Sequence, residues 1–390
     1  MTQPMALSGW FALWPLYRLP LAVAIGSALY YLAVIVASLR FRSERKPHPV
    51  FTPPVSILKP LKGVDPNFYE CLASHCRQSY PQFEIIFGLC DPRDSATATI
   101  AQLQRDFPQV PIKLVIVPES HGANRKMNSL ARMLPQAAHD FIVINDADIR
   151  VEPDYLRSVI APLGDESVGL VTCLYRGVPA GGFASILEAL GLSGDFAGQV
   201  LLARWVEGVK FALGATMATR QKQIAAIGGL ERWTDYLADD YVLGSQIVAA
   251  GYRIHLSHNV VDTMLPNRSF AELLRQQVRW ARTVRCSRPG GYPGLLLTFG
   301  VPFALLALLA HPGSALAGLV FAVTLAVRLL AAWTSGVMVA GDRTLRRFLW
   351  LLPVRDALGL GVWIASYLGS TVVWRGEQFR IEKGGRIRQM

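Results

Sequence analysis

The sequence predicts an α/β domain with membrane-spanning helices at both ends. Between residues 50 and 290, short β-rich runs alternate with segments of helical periodicity, which is the pattern of βαβ units. Uncharged apolar stretches, each long enough for a membrane-spanning helix, lie near the two termini. The chain of 390 residues is 52% hydrophobic, a share that indicates a combination of soluble and membrane-embedded parts.

The first apolar stretch, residues 19–39, is predicted to be a membrane-spanning helix. It contains no charged residue, and at about 1.5 Å per residue it can cross a hydrocarbon core of roughly 30 Å. A cleaved signal peptide is the alternative, but the stretch is long for such a peptide and lacks a clear small-residue cleavage motif. One basic residue, Arg18, precedes it, whereas four follow closely: Arg40, Arg42, Arg45 and Lys46. This asymmetry predicts that residues 1–49 form an anchor and linker that lead into a cytosolic domain.

Residues 50–290 are predicted to form that cytosolic α/β domain. Five runs are rich in β-branched and apolar residues and are predicted strands: 55–60, 84–91, 112–118, 141–148 and 169–175. Helical periodicity occupies residues 94–106 and 126–138 between them. The alternation predicts a mostly parallel sheet whose two faces are covered by helices. In such sheets ligands bind beyond the carboxyl ends of the strands.

Residues 291–390 are predicted to form a second membrane region with a basic cytosolic tail. Stretches 293–310 and 314–339 are two further predicted spans. Arg328 lies inside the second, where a charge is costly unless it is buried against protein or lines a polar cavity. A full crossing by the apolar segment within 348–374 would place the basic tail outside, whereas the charge rule favours the cytosol. A full crossing and a re-entrant segment therefore both remain open.

Net charge and cysteine usage narrow the function classes. The formal net charge of +11 favours contact with an anionic partner, such as nucleic acid, a phosphate-bearing substrate or a negative membrane surface. The basic residues cluster beside the apolar spans, which favours the membrane surface over nucleic acid. Five cysteines without a CxxC pair argue against a disulfide framework and against cysteine-bound zinc, and so fit a reduced compartment such as the cytosol.

Asp146 and Asp148 follow the apolar run that begins at Phe141. If the strand continues, both side chains project to the same side. Two carboxylates a few ångströms apart repel each other by about 1 kcal/mol in water and by more near a protein interior. A hard divalent cation such as Mg²⁺ or Mn²⁺ removes this conflict and also binds phosphate oxygens. A solvated turn after the strand is the alternative interpretation.

Asp239 and Asp240 begin a predicted helix with apolar positions at Val242, Leu243 and Ile247. Acidic residues in a first turn commonly serve to cap the helix and to compensate its dipole. The functional alternative is a general base held at the start of the helix.

Another predicted helix begins with a capping box formed by Ser269 and Glu272. Gln276, Arg279 and Trp280 then lie three and four residues apart, on one face of that helix. A surface arginine beside a half-buried tryptophan is the simple interpretation. The alternative is a clamp in which Arg279 binds a departing diphosphate while Gln276 and Trp280 shape an acceptor pocket.

Taken in chain order, these groups resemble a known signature. The series Asp91, DAD at 146–148, DDY at 239–241 and QQVRW at 276–280 resembles the D, D, D, (Q/R)xxRW pattern of membrane-bound family 2-like glycosyltransferases. Four longer segments are similar to the ceramide glucosyltransferase family, family 21: residues 56–67, 122–130, 146–154 and 208–220. That family includes bacterial members that glycosylate hopanoids. The length and layout of this chain most resemble the hopanoid-associated N-acetylglucosaminyltransferases.

The resemblance implies a GT-A fold, Rossmann-like with a mixed, mostly parallel sheet, for the cytosolic domain. It also implies a UDP-sugar donor, inversion at the anomeric carbon and a divalent cation, Mg²⁺ or Mn²⁺. Carried over by position, Asp91 would bind uracil, and Asn124 and Lys126 would lie near the ribose or the diphosphate. Asp146 and Asp148 would occupy the position that binds the metal and the diphosphate. Ceramide enzymes can carry a single acid where this chain has DAD, which makes Asp146 the firmer prediction as a ligand.

For the reaction itself, the resemblance implies that Asp240 is the base, with Asp239 as the fallback. Related ceramide enzymes have Glu-Asp at these two positions, and the base is placed on the second acid. Gln276, Arg279 and Trp280 would belong to the substrate-binding set, and Arg279 also to the catalytic set.

These inferences predict a membrane-bound, inverting, metal-dependent glycosyltransferase, a multi-pass protein of the inner membrane with its catalytic domain facing the cytosol. The best-matching reaction is transfer of N-acetylglucosamine from UDP-GlcNAc to bacteriohopanetetrol in hopanoid biosynthesis. The alternative is a ceramide glucosyltransferase that uses UDP-glucose. A processive polysaccharide synthase, which usually has more spans, and a non-enzymatic lipid-binding protein are less favoured. The expected partners are the UDP-sugar, a hopanoid or ceramide-like membrane lipid and the bilayer, with no nucleic acid and no obligate protein partner.

Overall fold

The computed structural model describes residues 8–45, 49–65, 67–117, 122–374 and 377–390. The strands in these ranges are β1 (Val55–Pro60), β2 (Phe83–Leu89), β3 (Ile112–Ile116), β4 (Phe141–Ile144), β5 (Ile149–Arg150), β6 (Val168–Pro179), β7 (Met217–Arg220), β8 (Arg253–Leu265), β9 (Thr371–Trp374), β10 (Glu377–Ile381) and β11 (Ile387–Gln389). The α-helices are α1 (Ser8–Ser43), α2 (Phe68–Cys76), α3 (Ala96–Asp106), α4 (Arg125–Met133), α5 (Tyr155–Ile160), α6 (Phe183–Gly191), α7 (Ala197–Glu207), α8 (Gln221–Ala226), α9 (Asp239–Ala249), α10 (Phe270–Ser287), α11 (Gly300–Ala310), α12 (Ala315–Ala332), α13 (Arg343–Phe348) and α14 (Leu352–Ser366).

The first eight strands form one sheet in the order β3-β2-β1-β4-β7-β6-β8-β5. β1 pairs in parallel with β2 and β4, β2 with β3, and β6 with β8. β7 runs antiparallel to β4 and β6, and β5 runs antiparallel to β8. The predicted fold, a mixed and mostly parallel sheet with apolar helices near the two ends of the chain, is therefore confirmed.

The centre of this sheet is apolar on both faces. Side chains alternate along β1, so Ile57 packs in the core on one face and Leu58 in the core on the other. Ile85 and Ile86 of β2 divide between the same two cores. All four side chains are fully buried, as expected for parallel strands that are covered by helices on both faces.

Three strands of the sheet, β5, β7 and β8, lie in segments where no strand is predicted from the sequence. β8 contains Arg, His, Asn and Asp residues, so its composition hides its β-character. Its Asp262 is nevertheless buried, because Arg150 and Arg176 both form ion pairs with it at 2.7 Å. Partners from β5 and β6, which local sequence patterns do not reveal, therefore stabilise this strand.

Five helical segments among the described residues are long and apolar enough to cross a membrane: Arg18–Ser43, Phe183–Glu207, Tyr292–Ala310, Ala315–Val339 and Arg343–Ser366. α1 packs along α11 and α12, so helices from both ends of the chain form one group. Phe183–Glu207 is not among the spans predicted from sequence; it contains four charged residues, Glu188, Asp195, Arg204 and Glu207. Most of this segment is buried inside the protein.

Both ends of Arg343–Ser366 lie against the α/β domain. Just before it, Arg176 of β6 donates from Nη1 to the Ala340 carbonyl at 3.0 Å. Just after it, Arg285 of α10 donates to the Gly369 carbonyl at 2.6 Å. Within residues 348–374, the last helix ends at Ser366, and residues 371–374 are β9, which pairs with β10.

Arg328 of α12 is buried among protein groups, as its position inside an apolar span requires. Its side chain is 3% exposed and forms an ion pair with Asp356 of α14 at 2.7 Å. It also pairs with Asp195 and donates to the Gly194 carbonyl at 2.9 Å. These contacts join α12 and α14 to the π-helical segment, Leu192–Phe196, that connects α6 and α7.

Candidate active site

The candidate site lies at the edge of the large sheet where β1, β2 and β4 end. Leu58 pairs with Ile144, and Pro60 pairs with Gly88, so the loops that follow these parallel strands emerge side by side. The Gly63 N–H donates to the Asp94 carboxylate at 2.9 Å, which ties the loop after β1 to the loop after β2. This is the kind of edge at which α/β sheets bind their ligands.

A turn after β4 carries Asp146 and Asp148. β4 ends at Ile144, and the side chain of the next residue, Asn145, is fully buried. Its Nδ2 donates to the Ala215 carbonyl at 2.7 Å and to Tyr155 Oη at 2.9 Å. The prediction that the strand continues through residue 148 is therefore wrong. The turn, and not strand alternation, positions the two carboxylates.

Lys59, a fully buried lysine in β1, supports this turn from within. Its Nζ donates to the Asp146 backbone carbonyl at 2.9 Å and lies 3.4 Å from His75 Nε2. Burial lowers the pKa of Lys59 to about 8, and nearby acidic groups, including Asp148 and Asp146, oppose this shift. Sequence reasoning assigned no role to this residue. A lysine in the middle of a buried strand is itself the missed signal, because such a charge needs partners.

Lys126, in the first turn of α4, joins two of the predicted acidic residues. Its Nζ lies 2.7 Å from Asp146 Oδ1 and 2.9 Å from Asp239 Oδ2. Burial alone would lower the pKa of Lys126, but these two carboxylates outweigh burial and raise it, so the side chain stays charged. Asn124 is the N-cap of α4: its side chain accepts from the Met127 N–H at 3.1 Å. The cap fixes the direction in which α4 presents Lys126 to the site.

Asp240, at the start of α9, faces Asp146 across a glycine. Asp240 Oδ2 accepts from the Gly214 N–H at 2.9 Å, and Oδ1 accepts from the Tyr241 N–H at 2.7 Å. A Cβ at Gly214 would lie 3.3 Å from both Asp146 Oδ2 and Asp240 Oδ2. Burial first, and then the charge of Asp239, raise the pKa of Asp240 to about 6. Gly214 lies in segment 208–220, and its missing side chain leaves space between the two carboxylates.

Asp148 adds a second carboxyl group beside Asp146. Burial and then the charge of Asp146 raise the pKa of Asp148 to about 7. A divalent cation would relieve such repulsion, so the pair fits the predicted metal position. Among the described residues, no three or more His, Cys, Asp or Glu side chains converge as a metal site. The pair can therefore supply two carboxylates, and further ligands would come from substrate oxygens and water, as is usual for Mg²⁺.

Asp91 lies in the loop that follows β2. Its Oδ1 accepts from the Arg93 N–H at 2.8 Å. This hydrogen bond, and the Arg93 side chain, hold the pKa of Asp91 below its usual range. The carboxylate is exposed and ionised, and it lies at the same sheet edge as the Asp146 turn. Uracil binding by Asp91 remains a prediction.

α10 begins with the predicted capping box of Ser269 and Glu272. Two turns further on, Gln276 Nε2 donates to Glu188 Oε1 of α6 at 2.9 Å. Arg268 pairs with the same carboxylate at 2.9 Å. The almost fully buried Glu188, which sequence reasoning missed, thereby joins α10 to α6 through Gln276. The signal for it was an acid inside an otherwise apolar helix.

Trp280 of α10 packs against a small apolar cluster that includes Leu265 at the end of β8. The neighbouring Met264 N–H donates to the Asp148 backbone carbonyl at 3.0 Å. Arg279, one residue before the tryptophan, is half-buried on the same helix. The residues of α10 are therefore linked to the Asp146–Asp148 turn through β8. By contrast, Lys126 of α4 contacts Asp146 of this turn and Asp239 of α9 directly.

Comparison with known proteins extends over nearly the whole chain. The sequence profile of Glycosyl transferase family 21 matches residues 19–387. Ceramide glucosyltransferase 1 of Caenorhabditis elegans is 24% identical over 387 residues, which cover 95% of this chain and 81% of that protein. The ceramide glucosyltransferase of Gibberella zeae is 29% identical over 163 residues, which cover 37% of this chain and 31% of that protein.

Among solved structures, the mannosyltransferase PcManGT from Pyrobaculum calidifontis, in complex with GDP-Man and Mn²⁺, superposes with a TM-score of 0.56. The two sequences are 20% identical, and the match covers 89% of this chain and 99% of that chain. This likeness shows that the large sheet and its helices form a GT-A glycosyltransferase fold. Because the family profile runs from the first apolar helix to the last strand, the chain belongs to glycosyl transferase family 21.

Proposed function

We propose that this protein is a membrane-bound inverting glycosyltransferase that transfers a sugar from a UDP-sugar to the hydroxyl group of a membrane lipid. The arrangement of Asp240 carries the proposal. Its carboxylate is oriented by two backbone N–H groups, has a raised pKa, and faces Asp146 across Gly214. A carboxylate of this kind fits a general base that acts beside a diphosphate.

In the proposed mechanism, the Asp240 carboxylate accepts the proton of the lipid hydroxyl while the hydroxyl oxygen forms a bond to C1 of the sugar. The bond between C1 and the phosphate oxygen breaks at the same time, and UDP leaves with that electron pair. Attack and departure take place on opposite sides of C1, so one displacement turns an α-linked donor into a β-linked product. One base is sufficient for this reaction, and no carboxylate nucleophile is required.

Asp146 and Asp148 are proposed to hold a divalent cation, which when bound supplies positive charge to the departing diphosphate. Mn²⁺ in the structure of PcManGT supports this assignment. Lys126 keeps Asp146 and Asp239 in place through contacts of 2.7 and 2.9 Å. Arg279 is proposed to add charge to the same diphosphate from α10, as the QxxRW resemblance implies.

The lipid acceptor requires an active site at the membrane surface. We propose that this chain is a multi-pass inner-membrane protein whose three crossings place the active site there. Arg18–Ser43, Tyr292–Ala310 and Ala315–Val339 cross, whereas Arg343–Ser366 is re-entrant, because both of its ends contact the α/β domain. Three crossings put the catalytic domain and the basic C-terminal residues on the same side. This side is the cytosol, according to the distribution of basic residues around the first helix.

Two donor and acceptor pairs are proposed, and each has its own support. The relatives named ceramide glucosyltransferase support UDP-glucose and a ceramide-like lipid. The length and layout of the chain support UDP-GlcNAc and a polyhydroxylated hopanoid such as bacteriohopanetetrol. Both pairs use the same site chemistry, since the two reactions differ in the sugar 2-substituent and the lipid body.

We expect the full-length protein in detergent to form a glycolipid from one of these pairs, with release of one UDP per sugar transferred. The assay combines each UDP-sugar with each lipid in the presence of Mg²⁺ or Mn²⁺ and identifies the product by mass spectrometry. A hexosamine-bearing hopanoid would support the pair of UDP-GlcNAc and hopanoid, and glucosylceramide would support the pair of UDP-glucose and ceramide-like lipid. Absence of product with every donor and lipid, while the protein remains folded, would refute the proposal.

The raised pKa of Asp240 predicts a pH dependence. Because a base must be deprotonated to act, kcat/KM should rise with pH and level off above the pKa of Asp240, which is about 6. The measurement is the pH profile of kcat/KM from about pH 5 to about pH 8 at saturating divalent cation, so that titration of the metal position does not contribute. A profile that is flat over this range would argue against Asp240 as the base.

A further inference from the structure

The apolar segment Arg343–Ser366 begins with three exposed arginines. Arg343, Arg346 and Arg347 all lie in the short helix α13. They are three and four residues apart, so they project from one face of the helix. The Arg347 guanidinium lies 5.3 Å from the centre of the adjacent Phe348 ring, but within the described part of the chain none of the three arginines forms an ion pair or a hydrogen bond through its side chain. This cationic face is therefore left without an acidic partner.

The opposite face of α13 attaches the helix to the protein. Leu345 is fully buried and belongs to an apolar cluster that also contains Leu187 of α6 and Leu273 of α10. The Leu345 N–H donates to the side chain of Asp342, the buried N-cap residue, at 3.0 Å. α13 is therefore held with its apolar side against the protein and its arginine side outward.

The outer face of Arg343–Ser366 changes from charged to apolar along the chain. Trp350 follows the arginines and is 68% exposed, and Val354 and Ile364, further along, are 48% and 52% exposed. The one acidic residue in this segment, Asp356, is buried. Cations, then a tryptophan, then aliphatic side chains are the order in which a membrane protein meets lipid headgroups, the interface and the acyl chains.

α13 lies on the same side of the membrane as the α/β domain. Just before the helix, Arg176 of β6 donates from Nη1 to the Ala340 carbonyl at 3.0 Å and to the Gly341 carbonyl at 3.3 Å. In the proposed topology this side is the cytosol, and the cytoplasmic leaflet carries anionic lipids. Each arginine near such a surface adds roughly fivefold to the affinity. The charge of the outer face of α13 is therefore complementary to this leaflet.

We propose that Arg343, Arg346 and Arg347 bind the phosphate groups of anionic phospholipids in the leaflet next to the catalytic domain. A guanidinium group suits a phosphate because it can donate two parallel hydrogen bonds to it. Trp350 lies between headgroups and acyl chains, and the apolar face beyond it contacts the acyl chains. Bound lipid holds the start of the re-entrant segment at the membrane surface.

The apolar cluster beneath α13 connects this lipid-binding face to the candidate active site. Leu273 of the cluster lies on α10, the helix that also carries Arg279 and Trp280. Anionic lipid that restrains α13 thereby restrains α10 and increases the rate of sugar transfer. The lipid contact rests only on the proposed membrane placement, whereas the effect on rate also rests on the proposed function.

The first test measures lipid binding without turnover. Native mass spectrometry of the full-length protein in detergent gives the association constants of added phosphatidylglycerol and phosphatidylcholine. The wild type should bind phosphatidylglycerol more tightly by roughly fivefold or more, the effect of at least one arginine. The triple variant Arg343→Gln, Arg346→Gln, Arg347→Gln should bind both lipids equally. Lysine at the same three positions keeps the charge and should keep most of the preference.

The matched control removes three positive charges from another surface: Arg105→Gln, Lys222→Gln, Arg253→Gln. All three residues are exposed at the sheet edge where the parallel strands begin. Arg253 begins β8, Arg105 lies near the end of α3 and precedes β3, and Lys222 follows the end of β7 that pairs with the start of β4. This variant has the same net charge as the arginine variant but should keep the wild-type preference for phosphatidylglycerol.

The second test measures sugar transfer in nanodiscs of phosphatidylcholine with and without phosphatidylglycerol. The wild type and the control variant should be faster with phosphatidylglycerol, whereas the rate of the arginine variant should not respond to it. A wild type whose rate does not respond would refute the effect on rate.

Two binding results would overturn the inference as a whole. One is equal affinity of the wild type for the two lipids; the other is an unchanged preference in the arginine variant, which would place the anionic lipid elsewhere on the protein. Failure of the proposed function is a separate outcome: the preference for phosphatidylglycerol would be present in the wild type and lost in the arginine variant, but no lipid would receive a sugar.

Discussion

The Asp240→Asn variant is expected to lose glycolipid formation by about three orders of magnitude in kcat, because general-base catalysis contributes about 10²–10⁴-fold. Asparagine has nearly the same shape as aspartate, and its amide oxygen can still accept from the Gly214 N–H that now binds Asp240 at 2.9 Å. Donor binding should therefore be largely retained. The measurement is kcat at saturating donor and lipid, together with UDP binding as a check that the site is intact.

Asp239→Asn is the informative control, because Asp239 is the fallback candidate for the base. Asp239 forms an ion pair with Lys126 at 2.9 Å, so its carboxylate is already engaged by a structural partner. We expect Asp239→Asn to lower stability and donor affinity more than kcat. If Asp239→Asn abolished kcat while Asp240→Asn kept it, the base would have to be reassigned to Asp239.

The Lys126→Met variant is expected to lower the free energy of unfolding by about 3–5 kcal/mol, the usual cost of removing one partner from a buried ion pair. Lys126 is 12% exposed and is in contact with Asp146 and Asp239, so its loss leaves two carboxylates facing each other. Methionine keeps most of the side-chain volume, which limits the effect to charge. The measurement is unfolding of the detergent-solubilised protein, with Lys126→Met compared to the wild type.

Lys210→Met provides the control for this prediction. Lys210 also pairs with a carboxylate, Glu207, but at 3.5 Å and with a side chain that is 56% exposed. Exposed pairs contribute about 1 kcal/mol or less, so this variant should be close to the wild type. Adding Asp239→Asn to Lys126→Met should restore part of the lost stability, because one of the unpaired charges is then removed. Equal, small effects in Lys126→Met and Lys210→Met would contradict the account of the cluster.

The edge of the sheet could be predicted from sequence because apolar runs leading to Asp91 and Asp146 identify parallel strands whose ends meet. Helix starts could also be predicted from sequence: the Ser269–Glu272 capping box is present in the structure. Contacts between distant segments could not be predicted. Lys59 beneath the Asp146 turn and Glu188 beneath Gln276 act through tertiary partners, and a single buried charge in a sequence does not say where its partner lies.

The C-terminal region is a second case in which the sequence does not predict contacts between distant segments. The hydropathy of residues 348–374 predicted a membrane segment but could not show that Thr371 begins a strand. The basic tail was assigned to the cytosol by its charge alone. Its folding into β10 and β11 depends on Leu237 and Asp235, more than 140 residues earlier in the chain, and no local pattern encodes that contact.

The most direct test of the account is the anomeric configuration of the glycolipid made by the purified protein. The full-length enzyme is incubated with an α-linked UDP-sugar, lipid acceptor and divalent cation, and the isolated product is analysed by proton NMR. A single displacement with Asp240 as the base predicts a β-linked sugar on the lipid hydroxyl, and loss of this product in Asp240→Asn. An α-linked product, or the same β-linked product at wild-type rate from Asp240→Asn, would contradict it.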